Sequence, residues 1–381
     1  MMSYLDLRVL RLLIEQVSAN SSEEASENAL NMNADLSTDV LLLIFIRYLQ
    51  LIGLMSWSSP GSIAYNSTEV SNKVHLPEIP KFDKLPHRPG LCGLRNIGNT
   101  CYMNSAIQCL SQIPQLIEWG NSQQKIKSQR TVTQAYISLI QSMWSGQNSC
   151  VTPNIIKKRV AQYASIFSDY AQKDSHEFMN SLLNALQSES EGQTSTVTDF
   201  FRIQTQSGVT CLHCGTDDSI EETTFCLPLP LGDEPRVSLD SLLNDFIKEE
   251  QLDGQYYCSS CQDLREAKQK TSICQPLSPV IIVQLKRFTF DETNEKLDTF
   301  VDYPISDWKV NDTLYDLLAV SMHVGNLKGG HYTTYARLND TDQWYYFNDS
   351  EYIPIENTRC IVTRNAYILV YLQKKIDNKS S

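Results

Sequence analysis

The chain is expected to fold as an α+β protein, and three observations lead there. Helix signals fill the region from about residue 90 to 190, and alternating, β-branched runs take over after Asp199. Two Cys-x-x-Cys pairs, "CLHC" at Cys211 to Cys214 and "CSSC" at Cys258 to Cys261, bracket part of the strand-like half. With 381 residues the chain has ample length for a sizeable core, as one large domain of two or three lobes or as two ordinary domains.

Residues 1–88 read differently from the rest, as an N-terminal extension. A helix-like apolar run from Tyr4 to Val17 precedes a polar, acidic stretch from Ser18 to Asp39. The apolar segment 40–57, "VLLLIFIRYLQLIGLMSW", is about long enough to span a bilayer. Arg47 and Gln50 lie near its middle, where a charge costs about 2.5 to 3.5 kcal/mol on insertion scales. A membrane anchor and an amphipathic helix lying on a membrane or on the body both fit. If the segment spans, Lys73, Lys81, Lys84 and Arg88 after it favour a cytosolic C-terminal side, hence a cytoplasmic body, tethered to an organelle. It sits too far in, and lacks the basic start, for a signal peptide. Pro77 to Pro89 reads as a linker.

In the body, Thr152-Pro153 suggests a helix N-cap and first position, and Asp174 followed by Glu177 three residues later suggests a capping box. Strands are expected in "FFRIQTQSGVTC", "VIIVQLKRFTF", "YDLLAVSMHV", "HYTTYARL" and "AYILVYLQ", interrupted by one amphipathic helix from Leu239 to Ile247. Residues 375–381 are a polar tail. A net charge of -12 gives no basic footprint for a nucleic-acid backbone and suits a basic partner. Eleven cysteines, an odd number with no secretory signal, point to metal or catalysis in a reducing compartment rather than to a disulfide framework.

Four soft thiolates from Cys211, Cys214, Cys258 and Cys261 suit a tetrahedral structural zinc, with His213 a bystander inside the first pair. The long gap between the pairs predicts a β excursion that returns to the same point. Cys101 has a different setting, at the joint between the turn-forming Asn96, Gly98, Asn99 and Thr100 and a helix-like run. Unpaired amides and the macrodipole at a helix start lower a thiol pKa, and the turn offers donors for an oxyanion. Cys109, two turns further on, is expected in the core.

A thiolate nucleophile also needs a base, and there are six histidines. His75 and His87 fall in the linker region, His213 in the cysteine pair, and His323 in a strand run where burial is usual. His176 and His331 remain, and spacing favours His331. It follows Gly329-Gly330 and opens a strand, while "WYYFNDS" can return antiparallel beside it and offer Asn348 or Asp349 to the imidazole.

"GLRNIGNTCYMNSAIQCL", "QKDSHEFM", "VIIVQLKRFTFD" and "GGHYTTYARLNDTDQWYYFNDS" resemble, in order, four sequence blocks of the ubiquitin-specific proteases. The resemblance covers about residues 90 to 373, including both cysteine pairs. It implies a papain-like cysteine protease of the thumb, palm and fingers type over 89–374, with a helical thumb at about 92–190, zinc-clipped fingers at about 199–275 and a palm from the remainder. It further implies a thiol-dependent deubiquitinase that cleaves after the C-terminal glycine of ubiquitin on ubiquitinated proteins. By position Cys101 would be the nucleophile, His331 the base, Asn348 its orienting partner with Asp349 as a neighbour some members use, and Asn96 the oxyanion donor. Asp174 and Glu177 would grip the basic tail of ubiquitin, and Gly329 and Gly330 would line the channel for its Gly-Gly. Lys173 and His176 depart from the commoner pattern. An inactive ubiquitin-binding scaffold, a protease for another ubiquitin-like modifier, and dependence on a regulatory partner stay open at this stage.

Overall fold

The structure, a computed structural model, describes residues 88–122, 131–190, 197–288, 296–326, 329–338 and 340–374. The N-terminal extension with segment 40–57, and the tail at 375–381, lie outside the described residues. Among the described residues no helix is long and apolar enough to cross a membrane.

A short strand β1 (Gly93–Leu94) leads into the helices α1 (Cys101–Ser111), α2 (Pro114–Ser122) and α3 (Val132–Met143). Strand β2 (Cys150–Val151), which pairs with β1 in parallel, precedes α4 (Asn154–Tyr163) and α5 (Ser175–Glu189). The cap signal at Thr152-Pro153 is displaced by one residue. Pro153 itself takes the N-cap position with no side-chain cap, and the helix starts at Asn154. Asp174 does cap α5, its Oδ1 accepting from the His176 and Glu177 amides at 2.6 and 3.2 Å.

Among the described residues the strands fall into four sheets. Strands β3 (Ile203–Cys211), β4 (Asp217–Thr224), β7 (Glu250–Cys258) and β8 (Asp263–Ile273) form an antiparallel sheet in the order β4-β3-β8-β7. The larger sheet holds β5 (Leu227–Pro230), β9 (Val280–Lys286), β11 (Trp308–Val310), β12 (Thr313–Asn326), β13 (Gly329–Arg337), β14 (Trp344–Asn348), β15 (Glu351–Ile355) and β16 (Ala366–Gln373). Its order is β15-β14-β13-β12-β16-β9-β5, with β11 beside β12. Strands β6 (Arg236–Ser238) and β10 (Phe300–Asp302) pair in parallel, and α6 (Leu239–Ile247) has the bounds its amphipathic pattern predicts.

Both faces of the large sheet are covered. Helices α1, α3 and α5 pack on one face with Val280, Ile282, Tyr367 and Val370, while α6 with Trp308 and Tyr315 closes the other over Ile281, Leu369 and Tyr371. This is why "AYILVYLQ" reads as a continuous apolar run rather than an alternating one. The strand in "VIIVQLKRFTF" stops at Lys286 because Arg287 turns inward, fully buried, to donate to the carbonyls of Ala366, Leu297 and Thr299.

Helix α1 is buried on every side, polar residues included. Those residues register it against its neighbours. Ser105 Oγ lies 2.7 Å from Ser321 Oγ and 2.8 Å from Thr334 Oγ1 and donates to the Thr333 carbonyl, while Gln108 donates to Cys92 O. Each bond offsets the cost of burying a polar group, and together they fix the start of α1 relative to β13.

Candidate active site

Cys101 opens α1 and is 4% exposed. It neighbours His331, the third residue of β13, closely enough to shift the titration of the imidazole. The other side of the ring meets Asn348 at the end of β14, with His331 Nε2 to Asn348 Oδ1 at 2.7 Å. An amide oxygen only accepts, so Nε2 carries the proton and Nδ1 is left for the thiol. The neighbouring Cys101 thiol raises the His331 pKa above its ordinary value; burial opposes this, and Asn348 and then the charge of Asp349 add to the rise. Antiparallel pairing of β13 with β14 brings His331 and Asn348 together, as the sequence suggests for "WYYFNDS", and the packing of α1 on β13 adds Cys101.

Asp349 does not touch the imidazole. Its Oδ2 accepts from Asn96 Nδ2 at 3.0 Å and its Oδ1 from Asn104 Nδ2 at 2.8 Å, while its carbonyl accepts from the Leu94 amide at 2.7 Å. Its φ of +50° lets the chain turn at this point and lay Ser350 against Gly93. A Cβ on Gly93 would meet the Ser350 carbonyl at 2.2 Å, so only glycine fits there. Asn96 Oδ1 in turn accepts from the Gly98 and Thr100 amides and lies 3.2 Å from Thr100 Oγ1. One Asn96 N–H goes to Asp349. No acceptor for the second is found among the described residues.

The remaining histidines sort by environment. His176 Nε2 pairs with Asn180 Nδ2 at 2.9 Å on α5, and burial lowers its pKa. His323 is buried between Phe288 and Tyr332, and its Nδ1 has no hydrogen-bond partner among the described residues. Burial, then Lys296 and His331, push its pKa down to about 4. The unfolded chain takes up this proton near pH 6.5. Stability from His323 is therefore full above that pH and falls as pH drops toward 4, by at most about 3 kcal/mol. His331, raised instead, contributes below about 6.5 and loses its contribution as pH climbs through its folded pKa. Denaturant unfolding at pH 7 and 4.5 should show a smaller loss in His323→Gln than in the wild type. Equal losses would remove His323 as the cause.

Cys109 is fully buried and its thiol is pushed up to about 12 by burial, as a core residue should be. Asp174 is occupied as the α5 cap and by Tyr367 Oη at 2.6 Å, whereas Glu177 faces solvent. Of the two, Glu177 is the freer to meet a cation. Lys173 pairs with Asp169 at 3.1 Å. A Cβ on Gly330 would collide with His323 Nε2 at 2.1 Å and with the Val324 carbonyl at 2.6 Å, so the ring and the β12 backbone packed against it both require glycine at 330. At Gly329 a Cβ would meet only Gln172 Oε1, at 3.4 Å.

The sulfurs of Cys211, Cys214, Cys258 and Cys261 all lie within 4.8 Å of one another, at the joined tips of β3–β4 and β7–β8. A tetrahedron of Zn–S bonds of about 2.3 Å needs S···S separations near 3.8 Å, which this cluster accommodates. Thr216 draws the Cys214 thiol down to about 6, and Cys214 pushes Cys261 up to about 12. Sulfurs this close cannot all ionise without a cation among them. His213 Nδ1 stands 3.6 Å from Cys261 Sγ, outside the four-sulfur set.

Sequence reasoning overlooks Ser105, Asn104 and Gln172, which fix α1, Asp349 and Gly330. Polar residues inside an otherwise apolar helix are the one available signal for the first two.

The family model for ubiquitin carboxyl-terminal hydrolase matches residues 92–371. Human ubiquitin carboxyl-terminal hydrolase 2 is 31% identical over 334 residues, covering 74% of this chain and 55% of that protein. Usp2 of Drosophila melanogaster is 33% identical over 328 residues, covering 74% and 35%. The chain thus spans about half, or less, of the length of these relatives. Among solved structures, the SAGA Ubp8/Sgf11/Sus1/Sgf73 deubiquitinating module bound to ubiquitin aldehyde superposes with a TM-score of 0.65 at 24% identity, over 77% of this chain and 71% of that chain. That likeness carries the fold.

Proposed function

Because the chain belongs to the ubiquitin carboxyl-terminal hydrolase family, we propose that it is a thiol-dependent deubiquitinase. The observation that carries this is the 2.7 Å bond from His331 to Asn348 with Cys101 as the imidazole's other neighbour, and Asn96 bonded to the Thr100 amide that immediately precedes Cys101. His331 takes the thiol proton, and Cys101 attacks the carbonyl that joins the C-terminal glycine of ubiquitin to a lysine amine. Asn96 Nδ2 donates to the oxyanion, His331 returns its proton to the departing amine, and water then releases the acyl group by the same route. Asn348 holds the productive tautomer without the charge a carboxylate would bring. Asp349 positions Asn96 rather than His331.

In this reading Cys211, Cys214, Cys258 and Cys261 hold a structural zinc that supplies no chemistry to the reaction and ties two β turns together. Glu177, with Asp174 beside it, meets the basic tail of ubiquitin, and the apolar segment 40–57 tethers the domain to a membrane. The test is release of a fluorophore from the C-terminus of ubiquitin by the purified protein, beside the same probe on other ubiquitin-like modifiers. No release from ubiquitin by folded protein contradicts the reading.

Asn96→Ala should slow turnover by about 100- to 1000-fold. Asp349→Ala should slow it through the same amide, so the double variant should be no slower than the slower single one. Losses that multiply would give Asp349 an independent role. Intact turnover in Asn348→Ala with none in Asp349→Ala would move the orienting role to Asp349.

A further inference from the structure

Gly330 precedes His331 on a stretch of β13 that β14 leaves uncovered, since that pairing begins at Thr334. On its other side Gly330 lies opposite Gly325 of β12. Both polar groups of Gly330 are nevertheless occupied. Its N–H donates to Gln172 Oε1 at 2.8 Å, and Gln172 Nε2 donates back to its carbonyl at 3.1 Å. A primary amide that grips the N–H and C=O of one residue does what an added antiparallel strand does at a free sheet edge.

The loop that carries Gln172 is fixed to the opposite wall of the site. Asn99 Nδ2 donates to Tyr170 O at 2.8 Å, and the Tyr170 ring lies so close to Gly98 that a Cβ there would be 2.8 Å from it. Beneath it, buried Lys157 holds the carbonyls of Phe167 and Asp169 at 3.0 and 2.8 Å. The loop is thus anchored beside the turn that holds Asn96. Its exposed tip reaches across to the strand that holds His331.

We infer that Gln172 is a placeholder on the substrate's edge, and that an extended peptide tail must displace it from Gly330 to reach Cys101. This rests on the deubiquitinase reading and adds to it a residue that sets substrate affinity. The two hydrogen bonds are between neutral groups and reach into solvent, so each is weak and exchangeable. Substrate affinity is lowered by the fraction of protein in which the latch is open. Removing the amide should therefore tighten ubiquitin binding by about five- to tenfold.

The test uses the full chain with Cys101→Ala, so that binding is read without chemistry, and compares it with the same chain carrying Gln172→Ala or Gln172→Met. Methionine keeps the length of glutamine without its hydrogen bonds. Labelled ubiquitin should bind both variants about five- to tenfold more tightly than the parent, and the free Gly330 amide should exchange faster in both. Unchanged or weaker ubiquitin binding in the variants, or unchanged exchange at Gly330, overturns the inference. Absence of any ubiquitin binding by the parent overturns the deubiquitinase reading and this inference together. That outcome is distinct, because failure of the latch alone requires a measurable parent affinity.

Discussion

Cys101→Ala and His331→Ala should each cut fluorophore release from ubiquitin by at least about 10,000-fold, with the double variant no slower than either single one. The reason is that the two groups act as a unit. Without the imidazole the thiol has no base, and without the sulfur the imidazole has nothing to deprotonate. Both replacements shorten side chains at the end of a helix and at an uncovered stretch of strand, so ubiquitin binding and thermal melting should survive. Retention of more than about 1% activity in Cys101→Ala would remove it as the nucleophile, given the size of effect expected of a nucleophile. A folded wild type that binds ubiquitin but releases nothing would instead mark an inactive scaffold, or an enzyme that needs a partner to turn over.

Removal of metal from the four-cysteine cluster should open the distal half of the β4-β3-β8-β7 sheet while leaving the large sheet intact. That small sheet has little core of its own. The buried residues described on its strands are Ile203, Thr205, Cys211, Cys258 and Ala267, and two of these five are metal-ligating candidates. Strand β4 is exposed along almost its whole length. At the tip, the remaining links include Thr216 to Ser260 at 2.9 Å, Tyr256 to Asp218, His213 to Cys261 at 3.6 Å and the Leu212 amide to the Glu266 carbonyl at 3.0 Å. Structural zinc contributes about 10 to 16 kcal/mol to isolated fingers, so even a fraction of that dominates here. Chelation should speed amide exchange around residues 209–220 and 256–268 by about 100-fold or more, and should weaken ubiquitin binding before it alters alkylation of Cys101. A preparation with no bound zinc, whose exchange chelators do not change, would refute the metal assignment.

The α+β class, helix α6, the strand β16 and the cysteine pairs were legible in the sequence because each is a local pattern. Periodicity reports which faces are covered, and Cys-x-x-Cys spacing reports a turn with two thiols on one side. Cys101 stood out for the same kind of reason, as a thiol between a turn and a helix. The cap expected at Thr152 falls one residue early because Pro153, with φ -85° and ψ +35°, is not yet helical and takes the N-cap position itself.

What sequence spacing could not decide was which neighbour serves which partner. Asn348 and Asp349 are adjacent carbonyl-bearing side chains, and either could have met His331. The left-handed turn at Asp349 sends one to the imidazole and the other to Asn96 and Asn104, and that division follows from the packing of Ser350 on Gly93. Asp174 likewise reads as cap or cation-binding group, and Tyr367, almost two hundred positions away in the chain, fills the oxygen that capping leaves. Gly330 reads as a channel glycine, and the assembled sheet adds a second demand for glycine, because a Cβ there would also meet His323 and the Val324 carbonyl. Local chemistry is written in the sequence because it depends on neighbours within a turn or two. The distribution of hydrogen-bond partners across the cleft depends on long-range closure, which only the assembled sheet and the buried helix α1 fix.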